Sequence, residues 1–104
     1  VAEITDEIAR PGFRGCPFIN AAAEFPDQNH PVRQIVTAHR EWYVDTLTSM
    51  LKNMGHPVPG DAADELVLAR DGALAGGYAG DPIAAAAALG RITSRVLAEA
   101  EQRR

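Results

Sequence analysis

Three histidines and one cysteine are the side chains of this sequence that could hold a metal ion or act as a nucleophile. No two histidines have the i, i+4 spacing that places both imidazoles of a zinc site on one side of a helix. The single cysteine, Cys16, belongs to no CxxC motif. A Cys16–His39 nucleophile pair is conceivable, but no supporting motif surrounds it. We therefore expect no enzyme, no metal site and no cofactor.

A second group of side chains suits a small-molecule pocket better than catalysis. His39, Trp42, Tyr43 and Met50 lie along one side of a helical pattern, where they combine aromatic area, a polarisable sulfur and a few hydrogen-bonding atoms. Neighbouring helices can add further contacts. The predicted ligand-binding residues are Phe18, Asn20, His39, Trp42, Tyr43, Met50 and Asp71. The alternative is an ordinary core, in which Trp42 packs and His39 bonds a neighbouring group.

The helix that carries most of these residues is the longest that the sequence predicts, from His30 to Gly55. Its apolar residues recur at steps of three and four, which makes one wide apolar side. Pro31 suits a first helical turn, because its missing N–H would have no partner there. Gly55 followed by Pro57 is a stop signal. We expect the core and any pocket to be built against this helix.

Shorter patterns predict the remaining elements. The end of an amphipathic helix is predicted over 1–10, where Ile4 and Ile8 lie four residues apart. A short helix is predicted over 16–25, and two longer helices over about 61–79 and 82–103. Asp61 and Asp81 are the expected N-caps of these two, since a carboxylate can accept the free N–H groups of a first turn. No stretch alternates in the manner of a strand. The fold class is therefore all-α, a bundle of about five helices.

The last two helices are rich in alanine and glycine and have apolar residues on two sides. One side can cover the long helix, and the other is a candidate surface for self-association. Two such helix pairs from two chains would form a dimeric four-helix bundle. The predicted interface residues are Leu74 and Tyr78, with Leu89, Ile92 and Val96 on a near-heptad seam. The alternative is that both helices are simply buried in a small monomer.

Composition limits the classes of partner and compartment. The chain has 10 basic and 14 acidic residues, a net charge of −4, whereas phosphate binding needs clustered Lys and Arg. One cysteine excludes an internal disulfide and suits a reducing, cytoplasmic location. No apolar run approaches the roughly 20 residues that span a bilayer, so no membrane partner is expected. We expect a single domain over 1–104 and, since Val1 is not an initiator methionine, a piece of a longer or processed protein.

Much of the sequence resembles the C-terminal domain of TetR-family transcriptional repressors. The resemblance begins in RGCPFINAAAEFPDQNHPVRQIVTAHREWYVDTLTSML and continues in DELVLARDGALAGGYAGDP and the alanine-rich final helix. Gly15 to Asn20, His30 to Val32 and Asp71-Gly72-Ala73 carry it through their order and spacing. It implies that the last two helices form the dimer bundle. It also implies that the short and long helices line an effector pocket.

The same resemblance implies what this chain does not contain. Members of the family bind operator DNA through an N-terminal helix-turn-helix domain, and no such pattern and no basic stripe lie in these residues. The expected function is thus that of a regulatory domain, a homodimer that binds an unknown small-molecule effector and controls DNA binding by the absent domain. Two other classes stay open. One is a stand-alone helical interaction module without a ligand, and the other is a small helical enzyme.

Overall fold

Five α-helices make up most of the computed structural model, which describes residues 2–10 and 12–101. They are α1 (Ala2–Ala9), α2 (Pro17–Glu24), α3 (Pro31–Asn53), α4 (Pro59–Ala79) and α5 (Pro82–Glu101). These described ranges contain no strand, which confirms the predicted all-α class. The sequence predicts that the last helix ends near residue 103, and residues 102–104 lie outside the described part.

A proline stands at the start of each helix from α2 to α5, where its missing N–H costs no hydrogen bond. The four are Pro17, Pro31, Pro59 and Pro82. Asp81 caps α5 as predicted, because its Oδ1 accepts the N–H of Ile83 at 2.9 Å and of Ala84 at 3.1 Å. Helix α3 ends two residues before Gly55, whose φ of 87° is open mainly to glycine. The predicted stop at Gly55 is confirmed.

The start of α4 differs from the prediction. Asp61 is predicted as the N-cap, whereas α4 begins at Pro59, with Val58 at the cap and Asp61 in the first turn. The difference arises because Pro59 fits the first helical position and because His56 Nδ1 accepts the N–H of Val58 at 3.1 Å. Asp61 still places a negative charge near the helix N-terminus, where the helix dipole favours it.

The tripeptide His-Pro-Val occurs twice and builds the same turn twice. His30 and His56 each accept, at Nδ1, the N–H of the valine two residues further on, at 3.1 Å. Because Nδ1 is the acceptor, the proton of each ring lies on Nε2. The His56 side chain is 1% exposed, and its Nε2 donates to the carboxylate of Glu99 at 3.2 Å. This bond ties the turn between α3 and α4 to α5.

Helix α4 is the centre of the core and contacts α1, α3 and α5. One buried cluster joins it to α1, α5 and the turn before α2, through Ile8, Cys16, Ala73, Leu74 and Leu89. A second cluster joins it to α3 and α5, through Leu51, Ala62, Ala63 and Val96. The expectation that the core is built against the long helix α3 is confirmed for the second cluster, through Leu51, and is wrong for the first, which includes no α3 residue. Small apolar residues on several sides of α4 let its neighbours approach closely.

The described helices form a flat assembly. Its principal extents are 44 × 33 × 16 Å and its radius of gyration is 14.8 Å. A compact domain of this length has a radius of gyration of about 13 Å. Several large apolar side chains accordingly have no cover, namely Ile35, Trp42, Met50, Val58, Leu68, Tyr78, Ile83 and Leu97. No described helix combines the length and the apolar character needed to cross a membrane.

Candidate functional site

Three of the predicted ligand-binding residues meet where α2, α3 and α4 come together. The Phe18 ring stacks on His39, with centroids 3.9 Å apart and planes 5° apart. The guanidinium of Arg70 lies 5.0 Å from the centroid of the Tyr43 ring, within the range of a cation–π contact. The cavity beside these side chains has a volume of only about 10 Å³. That is room for one water molecule at most, so these aromatic residues fill their own space.

Two other predicted residues, Trp42 and Met50, face outwards. Their side chains are 60% and 56% exposed, and Ile35 on the same side of α3 is 64% exposed. We call Ile35, Trp42 and Met50 the α3 stripe. Neither Trp42 nor Met50 lines the aromatic cavity or the cleft described below. Their part in ligand binding stays a prediction.

Asn20, also predicted to bind ligand, fixes the turn that leads into α2. Its Nδ2 donates to the backbone carbonyl of Arg14 at 2.8 Å. Gly15, between them, has a φ of 88°, and a Cβ there would lie 3.8 Å from the Asn20 amide. Asn20 lines a separate cleft beside Phe13, away from His39 and Tyr43.

The last predicted ligand-binding residue, Asp71, joins α3 to α4 through an ion pair. Its carboxylate accepts two hydrogen bonds from the guanidinium of Arg40, at Nη1 and Nη2, and one from Nη1 of Arg70 at 3.3 Å. The arrangement with Arg40 is bidentate, the stronger geometry for this kind of pair. The hydrogen bond to Asp71 raises the pKa of Arg40 above its ordinary value. The Asp71 side chain is only 18% exposed, so little water competes for these bonds.

A cleft of about 510 Å³ lies beside this ion pair, between α2 and α3. Its volume is in the range of small-molecule sites, roughly 300 to 1,000 Å³. The lining combines an apolar wall from α2 and α3 with charged groups, and consists of Ile19, Ala22, Arg33, Val36, Thr37, Arg40, Glu41 and Asp71. This cleft, rather than the filled aromatic cavity, has room for a ligand, and it is the candidate effector site.

Of this lining, the sequence analysis singles out Asp71 alone. A signal for the rest does exist, because Arg33, Val36, Thr37 and Arg40 recur at steps of three and four and share one side of α3. Nothing local in the sequence says that this side, rather than the side with Trp42, faces α2. The choice depends on how α2 and α4 dock, which is a property of the whole fold.

The residues predicted at a dimer interface separate into buried and exposed ones. Leu74, Leu89 and Val96 are 2%, 3% and 0% exposed in the single chain, so the expectation that they contact a partner chain does not fit their burial. The near-heptad seam of α5 indeed packs on a helix, but that helix is α4 of the same chain. Ile92 is partly buried, and Tyr78 is 52% exposed, with its ring edge-on to Phe13.

The surfaces of α4 and α5 that point away from the core carry other apolar residues. Leu68 on α4 is 74% exposed, and Ile83 and Leu97 on α5 are 82% and 37% exposed. Small exposed side chains, Ala75 on α4 and Ala87 on α5, lie near them in the helical repeat. We call Leu68, Ala75, Ile83, Ala87 and Leu97 the α4–α5 outer face.

The histidines and the cysteine have structural partners. Cys16 is buried, and its Sγ lies 3.9 Å from Nη1 of Arg70. His39 stacks on Phe18, and His30 and His56 hold the two His-Pro-Val turns. Among residues 2–10 and 12–101, no three His, Cys, Asp or Glu side chains are grouped in a way that could hold a metal ion.

Comparisons with known proteins point to one family. The family described as tetracyclin repressor-like, C-terminal domain, matches residues 1–54. Among solved structures, the crystal structure of SCO4454, a TetR-family transcriptional regulator from Streptomyces coelicolor, has 42% sequence identity and a TM-score of 0.90. The match covers 95% of this chain and 52% of that one, so the chain spans about half the length of that regulator. No curated protein matches the sequence.

Proposed function

The chain belongs to the TetR family of transcriptional regulators, and we propose that residues 1–104 are the effector-binding and dimerisation domain of a TetR-like repressor. In this proposal, an N-terminal domain outside this chain binds operator DNA, and the present domain controls that binding. The match to a family C-terminal domain and the similarity to a regulator about twice as long support this division.

The observation that carries the proposal is the position of the cleft. The lining comes mainly from α2 and α3, and it includes both members of the Arg40–Asp71 ion pair, which reaches α4. A ligand in the cleft therefore touches the side chains that set the position of α3 relative to α4. Because α4 also packs along α5, a shift at the cleft reaches the helix pair proposed for dimerisation.

Control of DNA binding then follows as a shift between two populations. The effector prefers one arrangement of α2, α3 and α4, and that arrangement changes the separation of the two DNA-binding domains across the dimer. The free energy of DNA binding can change by at most the difference between the effector's binding free energies for the two arrangements. The proposal does not require the ligand to contact the dimer interface.

Dimerisation is proposed at the α4–α5 outer face. Leu68 and Ile83 are the most exposed large apolar side chains of the described chain, at 74% and 82%. Burial of such side chains against a second copy removes apolar surface from water, and the neighbouring alanines allow helices to approach closely. Two α4–α5 pairs related by a two-fold axis make the expected four-helix bundle.

Effector binding is tested by thermal unfolding of the intact regulator against a library of small apolar and amphipathic compounds. A ligand of the folded state raises the melting temperature by mass action. We expect Thr37→Trp, which fills the cleft from an exposed lining position, to abolish the stabilisation. Ser49→Trp, on an exposed position of the same helix outside the cleft lining, is the matched control and keeps it.

Three results separate the possibilities. Equal stabilisation of both tryptophan variants would place the ligand elsewhere. A library in which no compound raises the melting temperature would contradict effector binding. Loss of stabilisation in both variants would mean that a bulky residue on α3 disturbs binding from any position, and the cleft would not be the site.

A second candidate function is a helical interaction module without a ligand. The α3 stripe favours it, since Ile35, Trp42 and Met50 form an exposed apolar surface on one helix. In this case no small molecule stabilises the protein, and Trp42→Ala abolishes binding of a protein partner. In the regulator proposal, Trp42→Ala leaves the dimer intact, as sedimentation at several concentrations would show.

A further inference from the structure

The charges around Asp71, a residue of the cleft lining, are unequal when Arg70 is counted, which itself lies outside that lining. Asp71 accepts hydrogen bonds from two guanidiniums, those of Arg40 and Arg70. One carboxylate between two guanidiniums leaves one positive charge in excess. The surplus lies where water is partly excluded, because the side chains of Asp71 and Arg70 are 18% and 21% exposed. Electrostatic attraction is stronger there than at an open surface.

Arg33 adds a further guanidinium to the cleft lining. Unlike Arg40 and Arg70, it has no carboxylate partner among the described residues. Its Nη1 donates instead to three backbone carbonyls at the end of α2, those of Ala22, Phe25 and Pro26, each at 3.3 Å. Carbonyl dipoles orient the side chain without cancelling its charge. Nη2 and Nε of Arg33 make no hydrogen bond within the described ranges 2–10 and 12–101, so a guanidinium of five N–H donors keeps donors for a ligand.

The two cleft arginines lie on the same side of α3. Arg33 and Arg40 are seven residues apart, two turns of α3, or about 10.5 Å of helix rise. Both side chains line the same cleft. The same lining also includes the negatively charged side chain of Glu41, which is exposed. The lining thus contains two guanidiniums, those of Arg33 and Arg40, and two carboxylates. Arg40 and Arg70 already share the carboxylate of Asp71, and solvent screens the carboxylate of Glu41.

We propose that the cleft binds an organic acid, a molecule with an apolar body and a carboxylate. This inference rests on the proposed function, in which the cleft is the effector site. The apolar body lies on Ile19, Ala22 and Val36, and the carboxylate lies toward Arg33 and Arg40. Guanidinium and carboxylate pair through planar, often bidentate hydrogen bonds, which suits an anion of this shape better than an alcohol or an amide.

The proposed ligand charge acts directly on the link between helices. Arg40 holds Asp71 of α4, so a ligand carboxylate that takes donors of Arg40 competes with Asp71 for the same guanidinium. Arg70 can continue to hold Asp71 on its own helix. An acidic effector therefore weakens the α3–α4 ion pair, whereas a neutral analogue of the same shape fills the cleft without that effect.

The test compares two acids with their primary amides, 4-phenylbutyrate and 2-naphthoate, by calorimetric titration of the intact protein. We expect each acid to bind at least about tenfold more tightly than its amide, the usual difference for a charged hydrogen bond. Arg33→Gln should weaken binding of the acids about tenfold and leave the amides unchanged. Glu41→Gln should tighten binding of the acids about twofold, because it removes a nearby negative charge. Arg14→Gln, an exposed arginine outside the cleft, is the matched control and should change neither.

The outcomes separate this inference from the proposed function. Equal affinities for acids and amides, with no response to Arg33→Gln or Glu41→Gln, would overturn the organic-acid inference and leave effector binding in place. Absence of binding by all four compounds would also overturn it, and the library screen above then decides effector binding separately. Should Arg33→Gln fail to fold, Glu41→Gln still decides, since weaker or unchanged binding of the acids in that variant contradicts the inference.

Discussion

Asp71 is the residue at which the cleft, α3 and α4 meet. It accepts hydrogen bonds from Arg40 of α3 and from Arg70 beside it on α4. The hydrogen bond to Asp71 raises the pKa of Arg40 above its ordinary value. A raised pKa of a basic group means that the group's contribution to stability is fully present below its unfolded pKa and is lost only as the pH rises through its higher folded pKa. The guanidinium therefore stays charged over the whole range of ordinary experiments.

Asp71→Asn keeps the size of the side chain and removes its charge. Both guanidiniums then lose their carboxylate, and we expect the free energy of unfolding to fall by about 1 to 2 kcal/mol. The expected loss is modest because the Arg40 side chain is 37% exposed and solvent screens its charge. Urea unfolding followed by circular dichroism measures the change. Glu41→Gln is the control, with an expected change within about 0.5 kcal/mol, and equal midpoints for Asp71→Asn and the unmodified protein would contradict the role given to the pair.

The site shows where sequence patterns stop being informative for single residues. Asp71 is predictable as a charged side chain on a mostly apolar helix. Its main partner, Arg40, is 31 residues away, and only the docking of α3 on α4 brings the two together. Trp42 shows the opposite case, in which the residue type suggests a contact that the structure does not show. Aromatic character suggests a pocket wall, but 60% of this side chain is exposed, because the side of α3 that carries it faces no other described helix.

At the scale of helices, most local signals are reliable, although the predicted Asp61 cap is wrong. Prolines at first turns, the Asp81 cap and the glycine stop after α3 act within a few residues, and the structure confirms them. Which helix packs against a given side of another helix is not determined by the nearby sequence. The seam of α5 through Leu89 and Val96 predicts that a helix packs there, yet the same seam fits a helix of a second chain or of its own. In the structure, this seam packs against α4 of the same chain. Helix α4, rather than α3, contributes to both buried clusters with several residues and is the centre of the core.

The close approach of α1 to α4 depends on Gly77. A Cβ at this position would lie 2.5 Å from Cγ2 of Ile8, closer than side chains pack. We expect Gly77→Ala to lower the free energy of unfolding by about 1 to 2 kcal/mol, because the strain of overpacking exceeds the gain in helix propensity. Gly76→Ala is the matched control. Its Cβ would meet only Ala85, at 3.9 Å, so we expect no loss and a gain of up to about 1 kcal/mol. Thermal and urea unfolding of both variants measure the difference, and equal effects would contradict this packing.

At the scale of the whole molecule, the flat shape explains why so much apolar surface remains. An assembly of helices only 16 Å thick in its shortest dimension cannot bury both sides of α3, α4 and α5. The α3 stripe and the α4–α5 outer face hold most of the exposed large apolar side chains of the described residues. The proposed regulator assigns the second of these to a second copy of the chain. The sequence predicts self-association of the last two helices, and the structure changes which side of them is available for it.

Ile83→Glu tests the assignment of the dimer face. Ile83 is 82% exposed in the single chain, so the substitution should leave the fold of the chain intact. In a dimer joined through the α4–α5 outer face it buries a charge, and we expect the dissociation constant to rise at least about a hundredfold. Ile35→Glu on the α3 stripe, where Ile35 is 64% exposed, is the matched control and should leave the dimer unchanged. Sedimentation equilibrium decides, and a dimer that survives Ile83→Glu but not Ile35→Glu would place the interface on α3.

The central claim is that occupation of the cleft changes DNA binding by the whole regulator. The most direct measurement is a fluorescence anisotropy titration of DNA with the intact regulator. The DNA is selected by the regulator from a random pool. The titration is done with and without a compound that stabilises the unmodified protein but does not stabilise the Thr37→Trp variant. The account predicts that the compound changes the DNA dissociation constant by at least about fivefold, and that Thr37→Trp shows no change. An unchanged DNA affinity at saturating compound, with the cleft occupied, would contradict it.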